Sequence, residues 1–307
     1  MTTIQAPPGR DWAAIFTSWA AAPSETETIK CENAERAIRK AIAASTRLSG
    51  CTTVFAQGSY RNRTNVRQDS DVDICVLYTG GTFFPDYSLG NGLTAGNLGH
   101  KDGTYQYATY KQDVEDALVA FFGRDHVTRG NKAFDIHENT YRIDADVVPA
   151  FEHRRYLGTP QNHHYITGTE LHPDAGGTIV NWPQQNYDNG VAKNNAANRG
   201  FKGVVRILKR LRNEMADCKI EAATPIPSYL IECLVWNVPN ECLTNPTWDA
   251  DVRQTILYLW QHTGTDDACK EWGEINENKY LFRNSQPWTR APVRDFLQAA
   301  WKYLGFA

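Results

Sequence analysis

Asp71 and Asp73 are separated by one residue in the β-prone run Asp71-Val72-Asp73-Ile74-Cys75-Val76-Leu77-Tyr78. Alternate side chains of a strand share a face, so the two carboxylates point the same way and can close on common cations. A hard divalent ion with oxygen ligands suits the pair, most simply Mg²⁺. Upstream, the β-prone run 51–57 leads into Gln57-Gly58-Ser59-Tyr60-Arg61-Asn62-Arg63-Thr64, and Asp69-Ser70 precede the aspartate pair. A Gly-Ser turn ahead of a helix offers backbone N–H groups and a hydroxyl to an anion, which makes Gln57, Gly58 and Ser59 candidates for holding a triphosphate.

A third carboxylate, Asp146, lies in the run 141–151 (YRIDADVVPAF), with Asp144 two residues earlier on the same face. Three carboxylates from two strands and a phosphate-binding turn make up the inventory for two-metal phosphoryl transfer. One ion activates an attacking hydroxyl and the other steadies the leaving pyrophosphate. Each piece alone has an ordinary reading: a plain turn, a solvated sheet edge, a surface acid. Their order and spacing within one sheet favour the chemical one.

These side chains need a sheet and its helices to hold them. Residues 11–48 carry apolar positions near 3.6 spacing, with Pro23-Ser24 as a start signal, and predict one short and one long helix. Runs 51–57 and 71–78 predict strands, 80–104 a polar connection, and 105–122 a helix. Residues 126–157 hold three β-prone pieces, the clearest closed by a Pro, and 158–198 read as an irregular connection and domain boundary. Residues 199–216 form an amphipathic helix with Arg199, Lys202, Arg206 and Lys209 on a stripe beside its apolar face, which by itself reads as solvated. Helical stretches follow at 228–237, 250–262 and 290–303. The expectation is an α+β chain with a sheet lobe over 1–158, a mainly helical lobe over 159–307 and a cleft between them. Trp236, Trp248, Trp260 and Trp272 recur every twelve residues, but their flanks share nothing and no repeat is read from them.

Length and composition exclude other classes. At 307 residues with 41% hydrophobic and 22% charged residues the chain is long enough for a core and is not of disordered composition. No apolar run reaches a membrane span and residues 1–30 lack a leader pattern, so a cytoplasmic protein is expected. A net charge of -3 argues against a general surface for double-stranded nucleic acid. The seven cysteines include no C-x-x-C pair and read as reduced, mostly buried thiols, and His163-His164 as part of a polar loop rather than a metal site.

The segments GSYRNRTNVRQDSDVDICV and RIDADVVPAF resemble those of the polymerase-β-like nucleotidyltransferases. The Asp-Val-Val-Pro-Ala-Phe ending and the helix after it resemble the cGAS/DncV-like and oligoadenylate-synthetase branch, as does the tail FRNSQPWTRAPVRDFLQAAWKYLGF. The resemblance implies a nucleotidyltransferase sheet with flanking helices and a mainly helical C-terminal lobe. It gives Gly58 and Ser59 to the phosphate-binding turn, and Asp71, Asp73 and Asp146 to catalysis on two Mg²⁺ ions, with Mn²⁺ as an alternative. Lys209, and less directly Lys202, match helix lysines toward a donor triphosphate, while Ser228 and Tyr229 match a nucleotide-contacting hydroxyl and a base-stacking ring. For Ser228 and Tyr229 a helix cap and a core ring are the competing readings. The implied activity joins nucleoside triphosphates (ATP, GTP or pyrimidine triphosphates) into a cyclic oligonucleotide, a dinucleotide above all, as a second messenger in bacterial anti-phage signalling. Constitutive activity and an activating protein partner are both open. Transfer to a small-molecule or protein acceptor, and a catalytically dead nucleotide- or RNA-binding module, are the alternatives. The His/Cys zinc loop of DNA-gripping relatives is absent from the sequence.

Overall fold

A computed structural model of the chain describes residues 7–66, 71–137, 143–283 and 286–306. Arg67-Gln68-Asp69-Ser70, Tyr141-Arg142 and Asn284-Ser285 of the segments quoted above lie outside the described residues. The first half runs α1 (Trp12–Ala20), α2 (Glu25–Ala44), β1 (Thr52–Ala56), α3 (Gly58–Asn62), β2 (Val72–Gly90), α4 (Tyr107–Phe122), β3 (Val127–Arg129), β4 (Phe134–Ile136) and β5 (Ala145–Thr159). The second runs β6 (Asn162–Leu171), β7 (Ile179–Asn181), α5 (Pro183–Ala196), α6 (Gly200–Asp217), α7 (Ser228–Trp236), α8 (Trp248–His262), α9 (Asp266–Cys269) and α10 (Arg290–Tyr303).

The strands form one mixed sheet in the order β1-β2-β5-β4-β3, with β6 on the far half of β5 and β7 on β6. Only β2 and β5 pair in parallel, and they set the frame: Asp73 is opposite Asp146, and Val76 is opposite Pro149. Pro149 was expected to close its strand, yet β5 runs ten residues beyond it to Thr159. A proline lacks the N–H that a ladder needs. Here it falls between Val147, the last residue paired to β4, and Phe151, the first paired to β6, while it stays in register with Val76 of β2.

Two further expectations are corrected. The polar stretch from residue 80 is not a connection until Gly90, because β2 continues through it alongside β5 after register shifts at Tyr78/Phe83 and Asp86/Leu89. Residues 158–198 are not irregular: they hold the end of β5, then β6, β7 and α5, and His163 and His164 lie in β6 opposite Gly158 and Leu157. Polar, Gly-containing strands hide from composition when neither face is a continuous core. Of the cysteines, Cys75, Cys233 and Cys269 are buried, whereas Cys31, Cys51 and Cys242 are half-buried and Cys218 is exposed; all are free thiols.

Contacts group the chain into two compact units. One, the sheet unit, comprises residues 24–61 and 67–184; the other, the helical unit, comprises 1–23, 62–66 and 185–307. The expected division at 158/159 falls at the end of β5, where Gly158 and Thr159 pair with His163 and Asn162 of β6, and α1 groups with the C-terminal helices. In the sheet unit Ile38 and Ile42 of α2 and Tyr110, Val114 and Leu118 of α4 bury against Val72, Ile74, Val76, Val147 and Phe151. Ser24 caps α2 by accepting the Glu27 N–H at 3.2 Å, as its Pro-Ser signal predicts. The Tyr110 hydroxyl donates to the Val76 carbonyl at 2.6 Å, tying α4 to β2.

In the helical unit α6 is the central element. Phe201, Val204, Val205, Leu208, Leu211 and Met215 are buried with Phe16 of α1, Leu230 and Leu234 of α7, Val252 and Ile256 of α8 and Phe296 of α10. Gly200 permits the closest approach: a Cβ there would strike the Leu243 backbone carbonyl, which cannot swing aside. Gly200→Ala should therefore destabilise the protein by about 1–3 kcal/mol. Equilibrium unfolding in denaturant reads this directly, and an unchanged midpoint would show that the approach is loose.

Candidate functional site

Backbone pairing brings the acidic residues together. Asp73 on β2, Asp146 on β5 and Asp135 on β4 are register partners across three neighbouring strands, so their side chains stand in a row on one face. Asp71 and Asp144 make the next row, the Asp144 carbonyl accepting the Val72 N–H at 3.0 Å. The electrostatics agree with this placement. Burial, followed by repulsion from Asp71, Asp135 and Asp144, raises the pKa of Asp146 above the ordinary carboxylate range. Asp71 is raised by burial and then by Asp144 and Asp135.

The Gly-Ser turn abuts the row. The Gln57 N–H donates to the Asp73 carbonyl at 2.8 Å, and Gly58 opens α3 at φ +65°, a left-handed conformation that favours glycine. A Cβ at Gly58 would strike the Asp73 carboxylate. Gln57, Gly58, Ser59, Asp71, Asp73 and Asp146 thus all belong to the sheet unit, and the turn lies against the carboxylates through Gly58.

Oxygen donors crowded on one face, with raised proton affinity, suit a hard divalent cation. Sequence reasoning missed a neighbouring group: Asp135, His137 and Asp144 each offer a ligand atom, all within 4.8 Å of one another. Alternation in Phe134-Asp135-Ile136-His137 puts Asp135 and His137 on one face, but nothing local says that β4 neighbours β5.

The remaining sequence candidates lie in the helical unit. Lys202 and Lys209 are not on a solvated stripe: they are 9% and 1% exposed. The Lys209 ammonium donates to Glu232 at 2.5 Å and to the Thr64 carbonyl at 3.0 Å. Burial lowers the pKa of Lys202, whose ammonium stands 5.9 Å from the Tyr187 ring centroid. Pro227, not Ser228, occupies the N-cap of α7, and the Ser228 hydroxyl accepts from Arg212 at 2.7 Å. Tyr229 packs against the helical core and donates its hydroxyl toward Asn186 and Glu274 at 3.0 and 3.1 Å.

The carboxylate geometry fixes a sign. Asp146 binds its proton more tightly folded than unfolded, so stability falls as pH rises through the interval between the unfolded and folded pKa values, and stays reduced above it. Asp146→Asn should raise the melting temperature at pH 7 in chelator, with the gain shrinking in acid. Calorimetric titration with Mn²⁺ should show at least tenfold weaker binding in Asp71→Asn, Asp73→Asn and Gly58→Ala. If His137→Ala weakened it instead, the ion would belong to the Asp135–His137–Asp144 group.

Comparison with known proteins gives a consistent picture. Residues 188–305 match the cGAS/DncV-like nucleotidyltransferase C-terminal helical domain. The chain is 48% identical to the cyclic dipyrimidine nucleotide synthase CdnE of Legionella pneumophila, over 96% of this chain and 98% of that one. It is 35% identical to a cyclic dipurine nucleotide synthase of Elizabethkingia meningoseptica, over 94% of this chain and 97% of the relative. Among solved structures, that of Elizabethkingia meningoseptica CdnE cyclic dinucleotide synthase with GTP and Apcpp superposes with a TM-score of 0.80 at 32% identity, covering 97% of this chain and all of the other. The Rhodothermus marinus CdnE c-UMP-AMP synthase with Apcpp and Upnpp gives 0.79 at 28% identity, over 96% and 97% of the two chains. With its sheet, helical unit and near full-length relatives in accord, the chain belongs to the cGAS/DncV-like nucleotidyltransferases.

Proposed function

We propose that this chain joins two nucleoside triphosphates, at least one of them a pyrimidine triphosphate, into a cyclic dinucleotide that serves as a second messenger in bacterial anti-phage defence. The observation that carries the reading is the carboxylate row of Asp73, Asp146 and Asp135 beside Gly58, in a chain 48% identical to a cyclic dipyrimidine nucleotide synthase. The 41% identity to a second such synthase, from Cecembia lonarensis, supports the pyrimidine assignment. The cytoplasm, which holds the triphosphates, is the proposed compartment; among the described residues no helix is long and apolar enough to cross a membrane. Regulation by an activating protein partner remains part of the proposal.

Asp71, Asp73 and Asp146 are assigned as the ligands of two Mg²⁺ ions, which when bound would neutralise phosphate charge and acidify the attacking hydroxyl. Asp146 orients that ribose hydroxyl. Gln57, Gly58 and Ser59 receive the triphosphate through backbone N–H groups and the Ser59 hydroxyl. In the helical unit Lys202 is assigned to donor phosphate. Lys209, already committed to Glu232 and Thr64, holds its surroundings, and Ser228 and Tyr229 border the nucleotide. Each linkage forms one P–O bond at the α-phosphorus and breaks the bond to the β-phosphate oxygen, releasing pyrophosphate. Two linkages close the ring.

Incubation with each α-labelled triphosphate and Mg²⁺ tests this. Label from UTP or CTP should enter a product that keeps it through alkaline phosphatase, with a mass one water below the linear dinucleotide monophosphate. Asp71→Asn and Asp73→Asn should reduce it at least a thousandfold. A ladder of linear oligomers, or label only on an added acceptor, would sink the cyclic reading.

A further inference from the structure

Arg206, in the middle of α6, uses its guanidinium wholly on main-chain carbonyls. Nε donates to the Ala20 carbonyl at 2.9 Å, Nη2 donates to the same oxygen, and Nη1 donates to the Arg63 carbonyl at 2.6 Å. The side chain is 8% exposed, and burial, then Arg210 and Arg63, lower its pKa to about 10. A buried cation satisfied by carbonyls is an expensive way to fill a core position, and a planar fork that grips two chain segments at once is what arginine offers in return.

Both segments are special in sequence. Ala20 ends α1, three residues before the chain leaves the helical unit after Pro23. Arg63 is the second residue of the short return, Asn62–Val66, and it holds a left-handed φ of +56° that a non-glycine residue keeps only where its surroundings enforce it. The next carbonyl, that of Thr64, accepts from Lys209, and Thr64 is 1% exposed. In sequence this return lies between the Gly58-Ser59 turn and Asp71, which precedes β2 and its Asp73.

We propose that Arg206 is a positioning residue for nucleotidyl transfer, which holds the Arg63 carbonyl while Lys209 holds that of Thr64 and so fixes residues 62–66, the segment that follows the phosphate turn. Arg206 acts on the reaction through that segment and does not touch substrate. The inference rests on the nucleotidyl-transfer reading of the site.

The test compares wild type, Arg206→Met, Arg206→Lys and, as control, Arg294→Met, whose guanidinium also bonds a main-chain carbonyl of the helical unit, that of Trp260 at 2.6 Å. Hydrogen exchange should rise in peptides covering 18–23 and 60–66 of Arg206→Met and stay at wild-type levels in α8 and α10. Its kcat for nucleotide incorporation should fall at least tenfold with KM for triphosphate within threefold. Arg206→Lys, able to reach one carbonyl, should recover part of kcat, and Arg294→Met should retain it. Should the Met variant fail to fold, the Lys variant is judged by the same two readouts. A raised KM with unchanged kcat would make Arg206 a substrate contact and overturn the proposal, as would unchanged exchange at 60–66. No incorporation by wild type would instead overturn the nucleotidyl-transfer reading and the catalytic half of this proposal, leaving exchange to decide the clamp.

Discussion

Asp73, Asp146 and Asp135 stand side by side because three strands pair in one register, and mutual repulsion opposes that arrangement throughout. Backbone hydrogen bonds of the ladder, and the apolar residues that alternate with the acids, must supply what the carboxylates take away. Val72, Ile74 and Val147 do so from the opposite face, buried beneath α2 and α4. A shift of one residue between β2 and β5 would turn the acids into that core, so the same alternation that builds the site forbids its misregistration. Burial and mutual repulsion raise the pKa of Asp146 and Asp71 on this face, and positive charge placed there would relieve that repulsion.

The helical unit shows the opposite charge handled differently. Lys202, Arg206 and Lys209 lie along one side of α6 within a largely apolar interior. Lys209 has a carboxylate partner in Glu232, while Arg206 relies on peptide dipoles. Removing Lys209 would strand Glu232, 4% exposed, as an unpaired charge. Lys209, with Glu232 and the Thr64 carbonyl as partners, is thus a member of the core.

The shared face of Asp71 and Asp73 and the Gly-Ser turn before them were legible because short spacings report them, whereas Asp146 is brought opposite Asp73 by pairing across the sheet. Also legible were α1, α2, α4, α6, α7, α8 and α10, whose apolar stripes are local. What escaped was set by partners far away in sequence. Pro149 looks like a strand end until both neighbours of β5 are known. Residues 80–90 look like a loop because Gly80, Gly81 and Pro85 break local propensity, whereas pairing with β5 carries them as strand. The stripe on α6 looks solvated by composition, yet three of its cations are buried among elements from both ends of the chain. Asp135 went unnoticed for the same reason: its neighbour Asp146 is supplied by sheet order alone.

The grouping of residues 1–23 with 185–307 has a consequence for the birth of the protein on the ribosome. Phe16, Trp12 and Trp19 of α1 are made before the helices that cover them, which come from α6 onward through α10. At about 5–20 residues per second, α1 waits roughly ten seconds to a minute with its aromatic face uncovered. The sheet unit, whose strands and helices lie between residues 24 and 184, can meanwhile collect its own core. Synthesis therefore makes the carboxylate scaffold before α6 to α10, and α1 gains its covering helices only after that scaffold has been made.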